Sequence, residues 1–307
     1  MADAGFTIRE GNDAPLLREL TTLRLGGRAR AMVHLHEAGA AAALPELANR
    51  LGGKLATIGA GSNILAGDGE LPLVLVKLAL DPEISEPVAM EGKFVVRAAA
   101  SVKLPVLLHR LAAQDIGGLE GLTGIPGTVG GAVAMNAGSY GQCVADTLTA
   151  LTVVTEQGEV KTLSRAEVDF AYRHMAIPGL FDSRGTDGWF AVLAAEFALT
   201  REEPGAVTAR ATEHMARKKI TQPVTAASAG CVFKNPENAA SAGKLLDDAG
   251  FKGKRLGGMA FSEMHANFMV NEGNGTSAAA LELLALAQGT VREKFGVSLQ
   301  TEVKIWV

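Results

Sequence analysis

At 307 residues, 48% of them hydrophobic and 20% charged, the chain has the composition of an ordinary globular protein with room for two or three domains and a sizeable core. A net charge of −4 and a pI near 5.9 argue against a nucleic-acid binder, which carries a basic face, and 5% aromatic residues offer no base-stacking platform. Two cysteines, Cys143 and Cys231, make no disulfide framework and suit a reducing cytoplasm.

The N-terminal stretch MADAGFTIREGNDAPLL lacks the basic segment and continuous apolar run of a secretory leader, and no apolar run reaches membrane-spanning length. Residues 30–36 predict a short strand. Residues 38–51 are rich in alanine and leucine and end in Gly52-Gly53, which predicts one helix with a glycine stop, interrupted in pattern by Pro45. Residues 55–58 and 73–78 predict further strands, so the first part of the chain reads as a βαβ-like unit. Its glycine turn, Gly59-Ala60-Gly61-Ser62-Asn63, falls at a strand end, where α/β sheets commonly bind ligands. A loop rich in Pro and Glu (81–91) precedes a strand at 94–100 and a helix at 103–114, the latter with Leu104, Leu107, Leu108 and Leu111 at helical spacing.

Residues 117–141 hold nine of the chain's 36 glycines in twenty-five positions. Such density is expected where a backbone turns through positive φ or is approached closely by a ligand. A mobile surface loop would be polar, yet this one carries Leu119, Leu122, Ile125, Val129, Val133 and Met135, so it predicts a buried loop whose N–H groups converge on an anion. Residues 148–155 and 160–163 predict a hairpin across Gln157-Gly158, and residues 189–199 another strand. Composition shifts at Arg201–Gly205, a candidate domain boundary. An amphipathic helix follows at 207–219, then a small-residue turn at Ser228–Cys231, helices at 242–249 and 277–295, and a terminal strand at 299–307 carrying Glu302.

Three residues stand out chemically, and each has a bland reading. Cys231 suits a small core position, Arg173 suits a strand cap or a surface ion pair, and Glu302 suits the solvent side of a strand. Their combination in order with TLRLGG (Thr22–Gly27), IGAGSNIL (Ile58–Leu65), GLTGIPGTVGGAVAMNAGSYG (Gly121–Gly141), AYR (Ala171–Arg173), SAGCVFKNP (Ser228–Pro236), FSEMHANFMVN (Phe261–Asn271) and EVKI (Glu302–Ile305) points to one chemistry. This series strongly resembles the UDP-N-acetylenolpyruvoylglucosamine reductase family (UDP-N-acetylmuramate dehydrogenases) of bacterial cell-wall synthesis, over nearly the whole chain.

The resemblance implies an α+β fold: a two-lobed FAD-binding unit of the vanillyl-alcohol-oxidase type with a third, α/β substrate-binding domain. The expected segments are 1–80 and 81–203 for the two lobes, 204–298 for the substrate domain, and 299–307 for a terminal strand that returns near the first lobe. Non-covalent FAD is expected against Ile58, Gly59, Ala60, Gly61, Ser62, Asn63 and Ile64, and against Gly124, Ile125, Pro126, Gly127, Thr128, Gly130 and Gly131. Asn136, Ala137, Gly138, Tyr172 and Arg173 complete that set. NADPH is the implied co-substrate and a UDP-sugar the implied substrate; a metal, nucleic acid or membrane insertion is not implied, nor is any oligomeric state. By the same resemblance Arg173 and Glu302 stabilise the charge that hydride addition places on a carboxylate-conjugated carbon. Cys231 then donates the proton, in a position where the family commonly has serine. A thiol, with a free pKa of about 8.5, is far the stronger acid. Lys219, Asn235 and His265 are expected at the nucleotide.

The chain departs from the family pattern at Thr21, where asparagine is usual, and at Met175, where a serine follows the Tyr-Arg pair. Two other readings stay open on sequence alone: a different flavoenzyme on the same scaffold, such as an alcohol or lactone oxidase, and a non-catalytic flavin or nucleotide sensor.

Overall fold

The computed structural model describes residues 5–182 and 188–307. Residues 1–4 of the stretch read for a leader, and 183–187 of the segment 81–203, lie outside them. The chain divides into two compact units, one of Met1–Asp13, Arg30–Gly59 and Pro72–Ala216, the other of Ala14–Ala29, Ala60–Leu71 and Arg217–Val307. The segment 1–80 is thus shared between both units, and the division near the C-terminal side falls within the helix Ala206–Thr221 rather than at Arg201–Gly205.

Two sheets dominate the first unit. In one, the strands run in the order Phe6–Glu10, Ala29–Leu35, Leu71–Leu78, Lys54–Thr57; the first pair is antiparallel and the last parallel. The crossover is not one helix. A 3₁₀ segment, Ala38–Ala43, leads into a short α-helix, Leu44–Arg50, with Pro45 in its first turn, where its missing N–H has no helical partner to lose. The second sheet is antiparallel and centred on the twelve-residue strand Phe190–Arg201, flanked by Leu148–Thr155 and Lys93–Ala99. The Pro- and Glu-rich stretch expected as loop supplies an edge strand to it, Val88–Met90. Leu104, Leu107, Leu108 and Leu111 bury one face of the helix Leu104–Ala113 into the core of this sheet.

The glycine-rich stretch lies over the same core. It is less irregular than expected, because Val129–Ala134 forms a helix that packs on the central strand. Gly130 is needed there by close approach: a Cβ would sit 2.8 Å from that of Ala100. The start of the stretch is tied down by Glu120, only 7% exposed. Its carboxylate accepts from the Gly118 N–H at 2.7 Å, from Arg210 Nε at 2.9 Å and from Gln142 Nε2 at 3.3 Å.

In the second unit, antiparallel strands run in the order Ser228–Cys231, Phe268–Asn271, Met259–Phe261, Arg255–Leu256. Helices Ala242–Asp248 and Ser277–Phe295 share a core with Leu23, Leu25 and Leu65. That explains the alternation in TLRLGG: its two leucines are buried and Arg24 is exposed. Asp68 caps the long helix, accepting from the N–H groups of Ser277 at 2.8 Å and Ala278 at 3.2 Å. The predicted terminal strand is shorter than expected. Only Lys304–Trp306 is a strand, parallel to Ile64–Ala66, and Glu302 lies in the irregular run before it. Among the described residues no helix is long and apolar enough to cross a membrane, and no cluster of three His, Cys, Asp or Glu is placed to hold a metal ion.

Burial pushes the Glu120 carboxyl up, but the Gly118 N–H and the Arg210 guanidinium outweigh it and hold it below the ordinary carboxylate range. A lowered folded-state pKa contributes stability above the unfolded value of about 4.3 and loses it as pH falls through the folded value. Glu120→Gln should therefore lower stability at pH 7 by about 2 kcal/mol, the scale of a hydrogen bond to a charged group. The gap to wild type, read as urea midpoints, should narrow once pH falls below that range.

Candidate active site

In the first unit the expected FAD-contacting residues bracket a narrow backbone approach. A Cβ on Gly59 would sit 2.7 Å from Thr128 Oγ1. That same oxygen accepts from the Gly131 N–H at 3.3 Å and so caps the helix Val129–Ala134. Asn136, nearly buried, donates through Nδ2 to Ala171 O at 3.0 Å and accepts at Oδ1 from the Ala145 N–H at 3.0 Å. This clamp joins the end of the glycine loop to the strand that leads into Tyr172-Arg173.

Those two residues form the turn between the paired strands Asp169–Ala171 and His174–Ile177. Arg173 takes a left-handed φ of +53°, donates from Nη2 to Gly138 O at 2.7 Å, and lies 5.0 Å above the Tyr172 ring. The structure therefore brings Asn136, Ala137, Gly138, Tyr172 and Arg173 together. Met175, in the place of the missing serine, is fully buried in the core, so its task is packing.

In the second unit the turn Ala60–Asn63 leads into the strand Ile64–Ala66. Gly61 has a φ of +64°, and its Cα faces the backbone of Leu20 and Thr21, leaving no space for a Cβ. Asn63 accepts at its carbonyl from the Lys304 N–H at 3.0 Å and donates from Nδ2 to Glu302 O at 3.2 Å. The Glu302 N–H in turn donates to Val232 O at 2.8 Å. Asn63, Glu302 and the residue after Cys231 thus belong to one backbone network.

Cys231 was read in a small-residue turn, but it ends a strand. Its register against Phe268–Asn271 shifts by one residue, with Gly230 at φ +80° in the resulting bulge. Both Cys231 and Glu302 are half-buried.

Asn235 and His265 meet at the start of the helix Ala242–Asp248. Asn235 Oδ1 accepts from the Ala242 N–H at 3.0 Å, and the ring of His265 lies against Gly243. Burial lowers the His265 pKa, and its Nδ1 accepts from the Asn267 N–H at 3.2 Å, which leaves the proton of the neutral ring on Nε2. Lys219 is exposed on the last turn of the helix Ala206–Thr221, whereas the neighbouring Lys218 is 3% exposed.

Asn267 itself was not singled out from the sequence. Its buried amide donates to Phe233 O at 2.8 Å and accepts from the Phe233 N–H at 3.0 Å. Its only sequence signal is its place inside FSEMHANFMVN.

The residues present fit a flavin dinucleotide. Both expected loops are rich in glycine, with Ala60, Ser62 and Thr128 as short side chains beside them, and a Cβ at Gly59 or Gly61 has no room. Residues 29–164 match a family described as FAD binding domain, and residues 222–306 match the UDP-N-acetylenolpyruvoylglucosamine reductase, C-terminal domain. The UDP-N-acetylenolpyruvoylglucosamine reductase of Nitratidesulfovibrio vulgaris is 50% identical over 295 residues, covering 95% of this chain and 97% of the relative. The enzyme of the same name from Oleidesulfovibrio alaskensis is 49% identical over 294 residues, covering 95% and 96%. The crystal structure of UDP-N-acetylenolpyruvylglucosamine reductase from Thermus caldophilus, 30% identical, aligns with a TM-score of 0.77 over 98% of this chain and all of that one.

Two glycines with nearly the same φ separate strain from close approach. Gly11 has φ +58° with open space around it, while Gly61 faces the backbone of Leu20. Gly11→Ala should cost only the left-handed backbone penalty of about 1–2 kcal/mol. Gly61→Ala should lower the urea midpoint clearly further, because the turn must also move.

Proposed function

This chain belongs to the UDP-N-acetylenolpyruvoylglucosamine reductase family, and from that premise we propose that it reduces the enolpyruvyl ether of UDP-N-acetylglucosamine to UDP-N-acetylmuramate at the expense of NADPH. It is an FAD-dependent oxidoreductase of peptidoglycan synthesis. In the reaction the vinyl double bond gains a hydride and a proton, and NADPH becomes NADP⁺. Bound FAD supplies the two-electron relay between them. The reading carries a cytoplasmic location with it, which two cysteines without a disulfide suit.

The chain's own groups then have the following tasks. The pyrophosphate of FAD would lie against the turn Gly59–Asn63 and the loop Gly124–Gly131, with Ile58, Ile64, Asn136–Gly138 and Tyr172 shaping the flavin's surroundings. Hydride arrival at the vinyl carbon places negative charge on the neighbouring carbon and its carboxylate. Arg173, a fixed cation, stabilises that charge as it develops, and Glu302 does so by donating a hydrogen bond in its protonated form. Cys231 gives its thiol proton to the carbon that carries the charge. Lys219, Asn235 and His265 hold the phosphates and polar groups of the nucleotide.

The observation that carries this reading is the 2.8 Å bond from the Glu302 N–H to Val232 O, which couples the Glu302 and Cys231 segments across some seventy residues. The deciding experiment gives FAD-loaded protein NADPH and the enolpyruvyl nucleotide. One NADPH should be oxidised per lactyl ether formed, as followed by absorbance and mass spectrometry. Bound flavin with no NADPH oxidation would favour a sensor, and rapid oxygen consumption with an alcohol would favour an oxidase.

Removing a positioned general acid costs roughly 10²–10⁴-fold, so Cys231→Ala should lose turnover on that scale while still binding nucleotide. Cys231→Ser should keep part of the rate. A thiol must be protonated to act, so the wild type should slow at alkaline pH more than the serine variant does.

Arg173→Ala and Glu302→Ala should slow reoxidation of reduced flavin by substrate in rapid mixing and largely spare its reduction by NADPH. A wild-type reoxidation rate in either variant removes that residue from the mechanism.

A further inference from the structure

The segment TLRLGG has no task in the mechanism above, yet its second position makes two bonds in different directions. The Thr22 N–H donates to Gly61 O at 3.1 Å, and the Thr22 hydroxyl donates to Ser228 O at 2.6 Å, 206 residues further along the chain. Gly61 belongs to the turn assigned above to FAD. Ser228 opens the strand that passes over the Gly230 bulge to Cys231.

The surroundings hold Thr22 in place. Thr21 is buried and its hydroxyl donates to Leu25 O at 3.0 Å, while the Arg24 N–H returns to Thr21 O at 3.1 Å, closing a turn in which Arg24 takes φ +56°. Asn271 secures the other side. Its Nδ2 donates to Leu23 O at 3.1 Å and Arg24 O at 3.3 Å, and its N–H donates to Ala227 O at 2.9 Å.

A bulge inserts a residue that the ladder does not pair, so the direction of the side chain beyond it depends on how the bulge is anchored. Here the start is anchored twice. The Gly230 N–H donates to Ser228 Oγ at 3.2 Å, and Ser228 O receives Thr22. Two residues, Ala229 and Gly230, lie between Ser228 and Cys231, against one, Met269, between their partners Val270 and Phe268. We propose that Thr22 is a positioning residue: its hydroxyl fixes the Ser228–Cys231 strand relative to the Gly61 turn and thereby sets where the Cys231 thiol points. The inference rests on the assignment of Cys231 as proton donor.

Thr22→Val removes the hydroxyl and keeps both the side-chain volume and the N–H to Gly61; Thr22→Ser keeps the hydroxyl. Two readouts are taken on FAD-loaded full-length protein: steady-state turnover with NADPH and the enolpyruvyl nucleotide, and the rate of iodoacetamide alkylation at each cysteine without substrate, mapped by mass spectrometry from pH 6 to 9. Small misplacements of a reacting group cost up to about 10²-fold, so Thr22→Val should lower kcat about tenfold with KM for NADPH within about twofold, and change the Cys231 alkylation rate by about threefold or more. The Cys143 rate should stay at the wild-type value, and Thr22→Ser should restore both readouts. Thr22→Ala serves if the valine variant is insoluble.

Wild-type kcat and Cys231 alkylation in Thr22→Val would overturn the inference. So would a parallel change at Cys143 and Cys231 with a lowered urea midpoint, which marks general loosening. If the wild type itself makes no product, the proposed function fails, and the Cys231 alkylation comparison still decides whether Thr22 places the thiol.

Discussion

The second unit depends on one buried amide. Asn267 is 2% exposed, and its side chain takes both the N–H and the C=O of Phe233, as a neighbouring main chain would. Its own backbone carbonyl accepts the Val232 N–H at 2.9 Å. On the opposite edge, the Lys234 N–H donates to Gln300 O at 2.9 Å and Val232 O accepts from Glu302. The segment following Cys231 is thus bonded on both edges, with the Phe233 ring wholly buried beneath. Replacing the amide by an apolar group would leave two buried backbone groups unsatisfied, at about 1–3 kcal/mol each. A segment so constrained holds its place, as the proton transfer proposed for Cys231 would require.

In the first unit the same demand for fixed placement shows as backbone strain. Of the six described non-glycine residues with left-handed φ, three, Asn136, Tyr140 and Arg173, belong to the glycine-rich stretch or to the turn clamped against it. Asparagine tolerates this conformation; tyrosine and arginine do so at a cost of about 1–2 kcal/mol each. The strain is held by the bonds of Asn136 to Ala171 and Ala145, by Arg173 to Gly138, and by the buried Glu120 at the head of the stretch. A cation fixed in this way would need no reorganisation in the charge-stabilising role proposed for Arg173.

Much of this was legible because the signals are local. The helix Ser277–Phe295 and the pair Leu148–Thr155 with Val160–Ser164 follow from hydrophobic spacing and a Gln-Gly turn. What has no local signal was harder to read. The helix Val129–Ala134 is masked by its glycines, and the return of Lys304–Trp306 to pair in parallel with Ile64–Ala66, 240 residues away, was expected only through the family resemblance. The glycine loops and the Tyr-Arg turn stand out by composition. Thr22, Asn267 and Asn271 do not, because their partners are backbone carbonyls and amides that every residue carries.

The two cysteines show how far residue type falls short of chemistry. Cys143 and Cys231 are both lone thiols in the sequence, and in the fold both are half-buried. Cys143 closes a capping box: its N–H donates to Asp146 Oδ2 at 2.6 Å and its Sγ to Oδ1 at 3.2 Å. Burial raises the pKa of that thiol, and the Asp146 carboxylate raises it further, so its proton stays committed to a local partner. Cys231 ends a bulged strand, and the next residue, Val232, is bonded to Asn267 O on one side and to the Glu302 N–H on the other. The anchoring of the chain around each sulfur, more than the sulfur itself, separates a cap from a candidate acid.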